Sequence, residues 1–304
     1  MKTGRSLLVV GAFFMSFSVV FGQGDYAFKV LANKGTNEVK SGDSWVAVKT
    51  GATLQKTDQL KLSENSYIGL VSNAGKPLEV KKSGVHSVTE LLAQVQSAAN
   101  TSVLNKYTDF ILSSNSAEAK KNRLSATGAV SRGPKEIKLY LPENNSLADV
   151  LNDKVHITWE KDNGPYVVTL KNMFDEQLGV IETPETSIEV SLSAPEYANE
   201  SAILVEVATK ADSKLKSPAR LIKKMSPAQA DKVKKDMAEF SSQVSEQTAL
   251  NQFILAGFYE EKKLIIDALG AYEQAIKMAP DVPSYKEAYE EFLFRNKLKK
   301  IQTP

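Results

Sequence analysis

Residues 267–281 read DALGAYEQAIKMAPD, and the way they fold decides the architecture of the C-terminal third. Ala268, Tyr272 and Ala275 are spaced four and three positions apart, as on one helical face. Pro280 ends the pattern, because proline has no N–H to continue the hydrogen-bond ladder. Upstream, Leu255, Ala256 and Tyr259 set a second stripe of the same kind. Small side chains at Ala256 and Ala268 let two helices approach closely, with Tyr259 and Tyr272 filling the space beside them. The spacing predicts helices near Leu250 to Glu261 and Leu264 to Met278, and a further one near Pro283 to Lys299. An earlier helix starts at Ser226-Pro227, since serine caps orphan N–H groups and proline fits a first helical turn. Val233, Met237, Phe240 and Val244 carry its face. A plain four-helix bundle has a seam of this kind too, so both arrangements stay open.

Leu255, Ala256, Tyr259, Ala268, Tyr272, Ala275 and Pro280 together resemble one tetratricopeptide unit, both helices and the stop. The match departs at Gln252, where the family often has a large aromatic, and one unit is clear where arrays usually have three or more. The resemblance implies a helical domain over residues 219–304 that takes a protein or peptide partner.

The N-terminus runs Met1-Lys2-Thr3-Gly4-Arg5 and is then apolar from Leu7 to Phe21. A basic start, a short apolar run and small residues before a cleavage point form a secretory signal peptide, here residues 1–22 with Gln23 as the new terminus. The alternative, a retained anchor, needs about 20 predominantly apolar residues; this run is shorter and is interrupted by Ser16 and Ser18. The expectation is an exported protein of the bacterial periplasm or cell envelope, with no stable membrane span after cleavage. The 304 residues include no cysteine, so neither a lipoprotein anchor nor a disulfide is available. About 280 residues remain without the leader, enough for two or three domains. A net charge of +2 argues against a nucleic-acid partner, which calls for a concentrated basic face.

Residues 26–85 read as short strands. Tyr26, Phe28 and Val30 alternate with Ala27 and Lys29, Trp45 to Val48 follow a turn at Ser41-Gly42-Asp43, and YIGLVSNAGKPLEV is two apolar runs around a turn. Ser44-Trp45, Val48, Gly51, Leu54, Asp58, Leu60 and Asn73-Ala74-Gly75 resemble the β-domain of FecR-like periplasmic regulators. Residues 86–133 change period: Val88, Leu91, Leu92 and Val95 share a helical face, and Val103, Leu104, Tyr107 and Ile111 extend it. Residues 113–133 read as a polar linker. Alternation returns over 134–211, with Ile137, Leu139 and Leu141 on one face, and Val155, Ile157 and Trp159 on another opposite His156, Thr158 and Glu160. A buried tryptophan, a tyrosine-led next strand and later V-x-V runs are similar to a fibronectin-III or immunoglobulin-type sandwich. The lysine-rich stretch 211–225 reads as a solvated joining segment. The expected fold class is therefore α+β and multidomain: a FecR-like β-domain, a fibronectin-III-like sandwich and a tetratricopeptide-like helical domain.

No residue pattern brings chemistry with it. GLVSNAGKP fails as a phosphate loop, because Gly69 and Gly75 enclose five residues, Pro77 follows Lys76 and a strand follows. His86 and His156 lie in different predicted domains without zinc-spaced partners, and there is no thiol or G-x-S-x-G elbow. The expectation is no catalytic, cofactor-binding or metal-binding residue and a non-enzymatic role in scaffolding or protein interaction. The alternative is a carbohydrate- or peptidoglycan-binding module accessory to an enzyme. An exposed aromatic platform on a sheet would favour glycan, and an uncovered apolar groove in the helices would favour a peptide.

Overall fold

The structure, a computed structural model, describes residues 26–95, 102–126, 136–239, 241, 244 and 247–299. The leader reading at 1–22 lies outside these residues, as do Phe240 and residues 127–133 of the linker reading. The chain is mixed α+β, with antiparallel sheets dominating the N-terminal two-thirds and helices the C-terminus.

The first β unit contains β1 (Phe28–Lys34), β2 (Asn37–Ser41), β3 (Ser44–Ala47), β4 (Thr53–Leu54), β5 (Gln59–Leu62), β6 (Tyr67–Ser72), β7 (Pro77–Val80) and β8 (Gly84–Ser87). They form two four-stranded sheets ordered β4-β1-β6-β7 and β3-β2-β5-β8. Phe28, Val30, Leu54, Leu60, Ile68 and Leu70 close between them. The β2–β3 turn needs Gly42, whose φ of +70° favours a residue without Cβ. At the β6–β7 turn Ser72 N–H donates to Lys76 O at 2.8 Å and Gly75 N–H to Ser72 O at 2.8 Å. Short helix α1 (Val88–Gln94) buries Val88 and Leu91 against this core.

The next helices correct the linker reading of 113–133. α2 (Ser102–Ser114) buries Leu104, Tyr107 and Ile111, and α3 (Ala117–Ala126) follows after two residues. Ser116 Oγ accepts from Ala119 N–H at 3.2 Å and starts α3, and its Ala, Glu, Lys, Arg and Leu are good helix formers.

The second β unit has β9 (Asp149–Val150), β10 (Lys154–Thr158), β11 (Tyr166–Lys171), β12 (Gln177–Thr183), β13 (Ser187–Ser191), β14 (Ala202–Thr209) and β15 (Arg220–Lys224). A five-stranded sheet ordered β12-β11-β14-β15-β9 faces the pair β10-β13, over Ile157, Trp159, Tyr166, Val168, Leu170 and Val205. Trp159 and Tyr166 meet edge to face with centroids 5.4 Å apart. The solvated segment read over 211–225 is corrected at its end. β15 pairs with β14 and runs parallel to β9, and its two apolar residues are buried on opposite faces, Ile222 in the sandwich core and Leu221 beside Ala148 and Ala202.

α4 (Pro227–Ala238) starts as expected, with a reciprocal capping box between Ser226 and Gln229. α5 (Ala249–Glu261), α6 (Ile265–Met278) and α7 (Pro283–Arg295) follow. Three residues join α5 to α6, and Lys263 takes a φ of +64° there; so short a connection folds two helices into an antiparallel pair. Ala256, Ala268, Tyr272 and Ala275 are all fully enclosed, as the stripes demanded. Ala268→Leu should overpack this pair and cost about 1–3 kcal/mol, whereas Gln274→Leu on the half-buried side should stay within about 0.5 kcal/mol. Urea unfolding of the whole chain measures both, and equal behaviour of the two variants would disprove close packing at Ala268.

Candidate functional site

Helices α5, α6 and α7 do not stand apart from the β units. One buried cluster joins them to Leu31, Ala32, Tyr67 and Val71 of the first β unit, to Leu104, Tyr107 and Ile111 of α2, and to Tyr140. Two glycines allow the close approaches. A Cβ on Gly257 of α5 would lie 2.6 Å from the Ile111 side chain of α2, and one on Gly270 of α6 would lie 3.2 Å from the His156 ring of β10.

Each junction carries an acid with its oxygens occupied, half-buried at Glu79 and buried at Asp267 and Glu260. At the first β unit, Tyr67 OH donates to Glu79 Oε1 at 2.9 Å, and that oxygen also accepts Leu250 N–H at 2.9 Å. Glu79 thus places its negative charge in the first turn of α5, where the helix dipole favours it. Tyr285 of α7 completes the chain through a 2.6 Å contact between the two tyrosine hydroxyls. Burial holds both hydroxyls well above the ordinary tyrosine range, so they remain neutral donors. Ser284 Oγ accepts from Asn33 N–H at 3.3 Å, and Lys34 pairs with Asp281.

At the second β unit, Asp267 in the first turn of α6 accepts Leu151 N–H at 2.9 Å and Asn152 N–H at 3.0 Å. Asn152 Nδ2 donates to Tyr259 OH at 3.2 Å. Six residues along, Glu273 lies 3.6 Å from His156 Nδ1 and accepts from Tyr289 OH at 2.8 Å. Ile266 belongs to the sandwich core rather than the helical one. Burial raises the Asp267 carboxyl to about 6 against the pull of the two N–H groups, and burial also raises Glu273.

The third acid lies where four helices meet. Glu260, 2% exposed, receives Arg295 on both oxygens at 2.7 and 2.8 Å, Tyr272 OH at 3.1 Å and Asn296 Nδ2 at 2.9 Å. Arg295 also donates to Ser114 O at the end of α2, at 3.3 Å. Burial alone would lower the Arg295 guanidinium, but the Glu260 carboxylate outweighs it and holds the charge.

Beside this network is a cavity of about 440 Å³. Leu31, Ile111, Phe253 and Ala288 line its apolar part, and Lys120 and Glu287, 3.7 Å apart, lie at its polar part. Around it, β1 packs on α7, and β7 and α2 pack on α5. Of the aromatic side chains on the sheets, Trp45 is half-buried with the Lys61 ammonium 5.4 Å over its ring, and Phe174 is exposed. His86 bonds the Lys82 carbonyl at 2.7 Å, and His156 is a junction residue; the two are not brought together. Among the described residues no group of three His, Asp or Glu is placed to hold a metal, and no helix is long and apolar enough to cross a membrane.

Sequence reasoning missed Glu79, Glu260, Asp267 and Arg295. A usable signal existed for Asp267: Asp267, Gly270 and Glu273 form an i, i+3, i+6 stripe beside the alanine stripe. The chain matches no protein-family model and no curated protein.

Two outcomes follow from these acids. Arg295→Leu leaves Glu260 buried without its cation and should cost about 3–5 kcal/mol, with Glu260→Leu/Arg295→Leu recovering part of the loss; urea unfolding that finds the double variant no better than the single one would contradict this. Asp267 binds its proton more tightly folded than unfolded, so its contribution is fully present below about pH 4 and is lost as pH rises through about 6. The rise from 3.8 to about 6 corresponds to about 3 kcal/mol. Asp267→Asn should flatten the stability profile between those pH values, and an unchanged slope would remove Asp267 as its source.

Proposed function

We propose that the protein is a non-enzymatic scaffold exported to the bacterial cell envelope. Its parts would be a FecR-like β unit, a fibronectin-III-like sandwich and a tetratricopeptide-like helical unit. One observation supports this reading above the others: the buried cluster that runs from β1 and β6 through α2 into α5–α7. Inter-domain surfaces of ordinary size and polarity permit relative motion. A continuous apolar core holds the first β unit against the helices instead, and Ile266 and Asp267 of α6 hold the second. Fixed geometry suits a protein that positions partners, in sensing or in assembly of an envelope complex.

The partner in this reading is a protein or peptide taken by the helical unit, with no nucleic acid and no cofactor involved. The cavity between β1, α2 and α7 is where it would anchor. Its apolar lining accepts one aliphatic or aromatic side chain, and Lys120 and Glu287 offer one charge of each sign to the flanking backbone or side chains. Cavities of 300–1,000 Å³ with a few polar groups are the common form of a specific pocket.

The test uses the full-length protein as bait in envelope extract, beside Ala288→Trp, which fills the cavity. Proteins retained by the parent and lost by the variant are the expected result. Identical recoveries from two equally stable baits would show that the cavity holds no partner.

A further inference from the structure

The sheets end on edges of unequal kinds. β4 and β9 are two residues long, β3 is four, and β7 opens on Pro77 and lies against α5. β12 is different. It runs seven residues, pairs with β11 alone among the described residues, and is their longest edge strand. Exposed edges are normally blunted by lysine, proline or short length, because their free N–H and C=O groups template another strand. β12 has no lysine and no proline. Its one charge, Glu182, is held by Lys210 at 2.6 Å. A register shift falls at Leu178, and Gly179–Thr183 beyond it pair regularly with β11.

Three of the six exposed large apolar side chains among the described residues lie on the same hairpin, the others being Val46, Val85 and Met278. Val180 is 46% exposed, and at the β11–β12 tip Met173 is 53% and Phe174 84% exposed. That tip is not loose. The buried Asn172 accepts Phe174 N–H at 2.9 Å and Glu176 N–H at 3.0 Å through Oδ1, and its Nδ2 donates to Glu176 at 2.7 Å. Lys171 pairs with Asp175 at 2.8 Å across the same turn. A phenylalanine held out by a fixed turn loses little freedom when it is covered.

We propose that β12 pairs antiparallel with β12 of a second copy of this chain, joining two five-stranded sheets across a two-fold axis. A two-fold requires one patch to be complementary to itself, and this strand meets the requirement. Pairing about Ile181 covers the regular stretch Gly179–Thr183. It sets Glu182 of each copy beside Val180 of the other, so the two carboxylates are not opposite each other, the arrangement that like charges avoid. In the same register each Met173–Phe174 tip reaches past the end of the other strand, toward its Pro184–Thr186 turn. A foreign strand would gain the same backbone bonds, but nothing in β12 calls for a complementary charge from outside.

Sedimentation velocity of the full-length protein from about 1 to 100 µM reads the association directly. A monomer–dimer equilibrium is expected, weakened about tenfold or more by Val180→Lys and also weakened by Phe174→Ser. Both residues are exposed, and thermal melting confirms that each variant remains folded. Hydrogen exchange adds a local readout: amides within Gly179–Thr183 should slow at high concentration in the parent and not in Val180→Lys. A monomer across the whole range overturns the proposal. So does a dimer that Val180→Lys leaves intact, or one that gives β12 no added protection.

Discussion

Helix α6 has to satisfy two neighbours at once. Ala268, Tyr272 and Ala275 turn one stripe to the other helices, where all three are fully enclosed. Asp267, Gly270 and Glu273 turn another to the sandwich, where Asp267 receives two backbone N–H groups and Gly270 lies under His156. Because the stripes lie on one rigid helix, the sandwich is set in place as soon as α6 packs on α5. A larger residue on either stripe would shift both contacts together, since close-packed interiors transmit such changes rather than absorb them.

The junction acids extend this constraint across the molecule. Apolar contact alone tolerates sliding, because it has no direction. Glu79, Asp267 and Glu260 each require donors in one geometry. Glu79 registers the first β unit on the start of α5, Asp267 registers the sandwich on the start of α6, and Glu260 draws α2 and α7 together through Arg295. Buried ionic groups are weak evidence for stability. Their effect here is to make one relative placement of the modules better than its neighbours. Asp267 shows the cost most plainly, since its ionised form is disfavoured even with two N–H donors.

Periodicity in the sequence carried much of the local structure. The starts of α4 and α7, the extents of α5 and α6, and the inward face of Val155, Ile157 and Trp159 follow from spacing and capping that operate within a few residues. The chain was harder to read where structure depends on distant partners. Arg220–Lys224 has only two apolar residues among cations, and it is a strand because β14 and β9 offer ladders on both sides. α3 is helical, which a composition reading mistakes for a linker. The pairing of Glu260 with Arg295 spans 35 positions, and no local pattern records it.

That difference bears on what a repeat-like helix pair does in this chain. A stripe of alanines and tyrosines specifies close helix packing, and it is silent on what covers the flanks. Here β7 and α2 pack on α5 and β1 on α7, with Leu31 and Ile111 beside Phe253. The same features that permit a peptide to dock, small residues and an apolar floor, have been used by the chain on itself. Under the proposed reading, a partner for the helices would meet this cavity, bounded by β1, α2 and α7, instead of an open groove. Specificity in such a pocket comes from the shape left between β1, α2 and α7, so it depends on the β units being held where Glu79 and Glu260 hold them. If the cavity takes a partner as proposed, structure and recognition are coupled through the same few acids, and a change that loosens a junction would alter the pocket before it unfolded the protein.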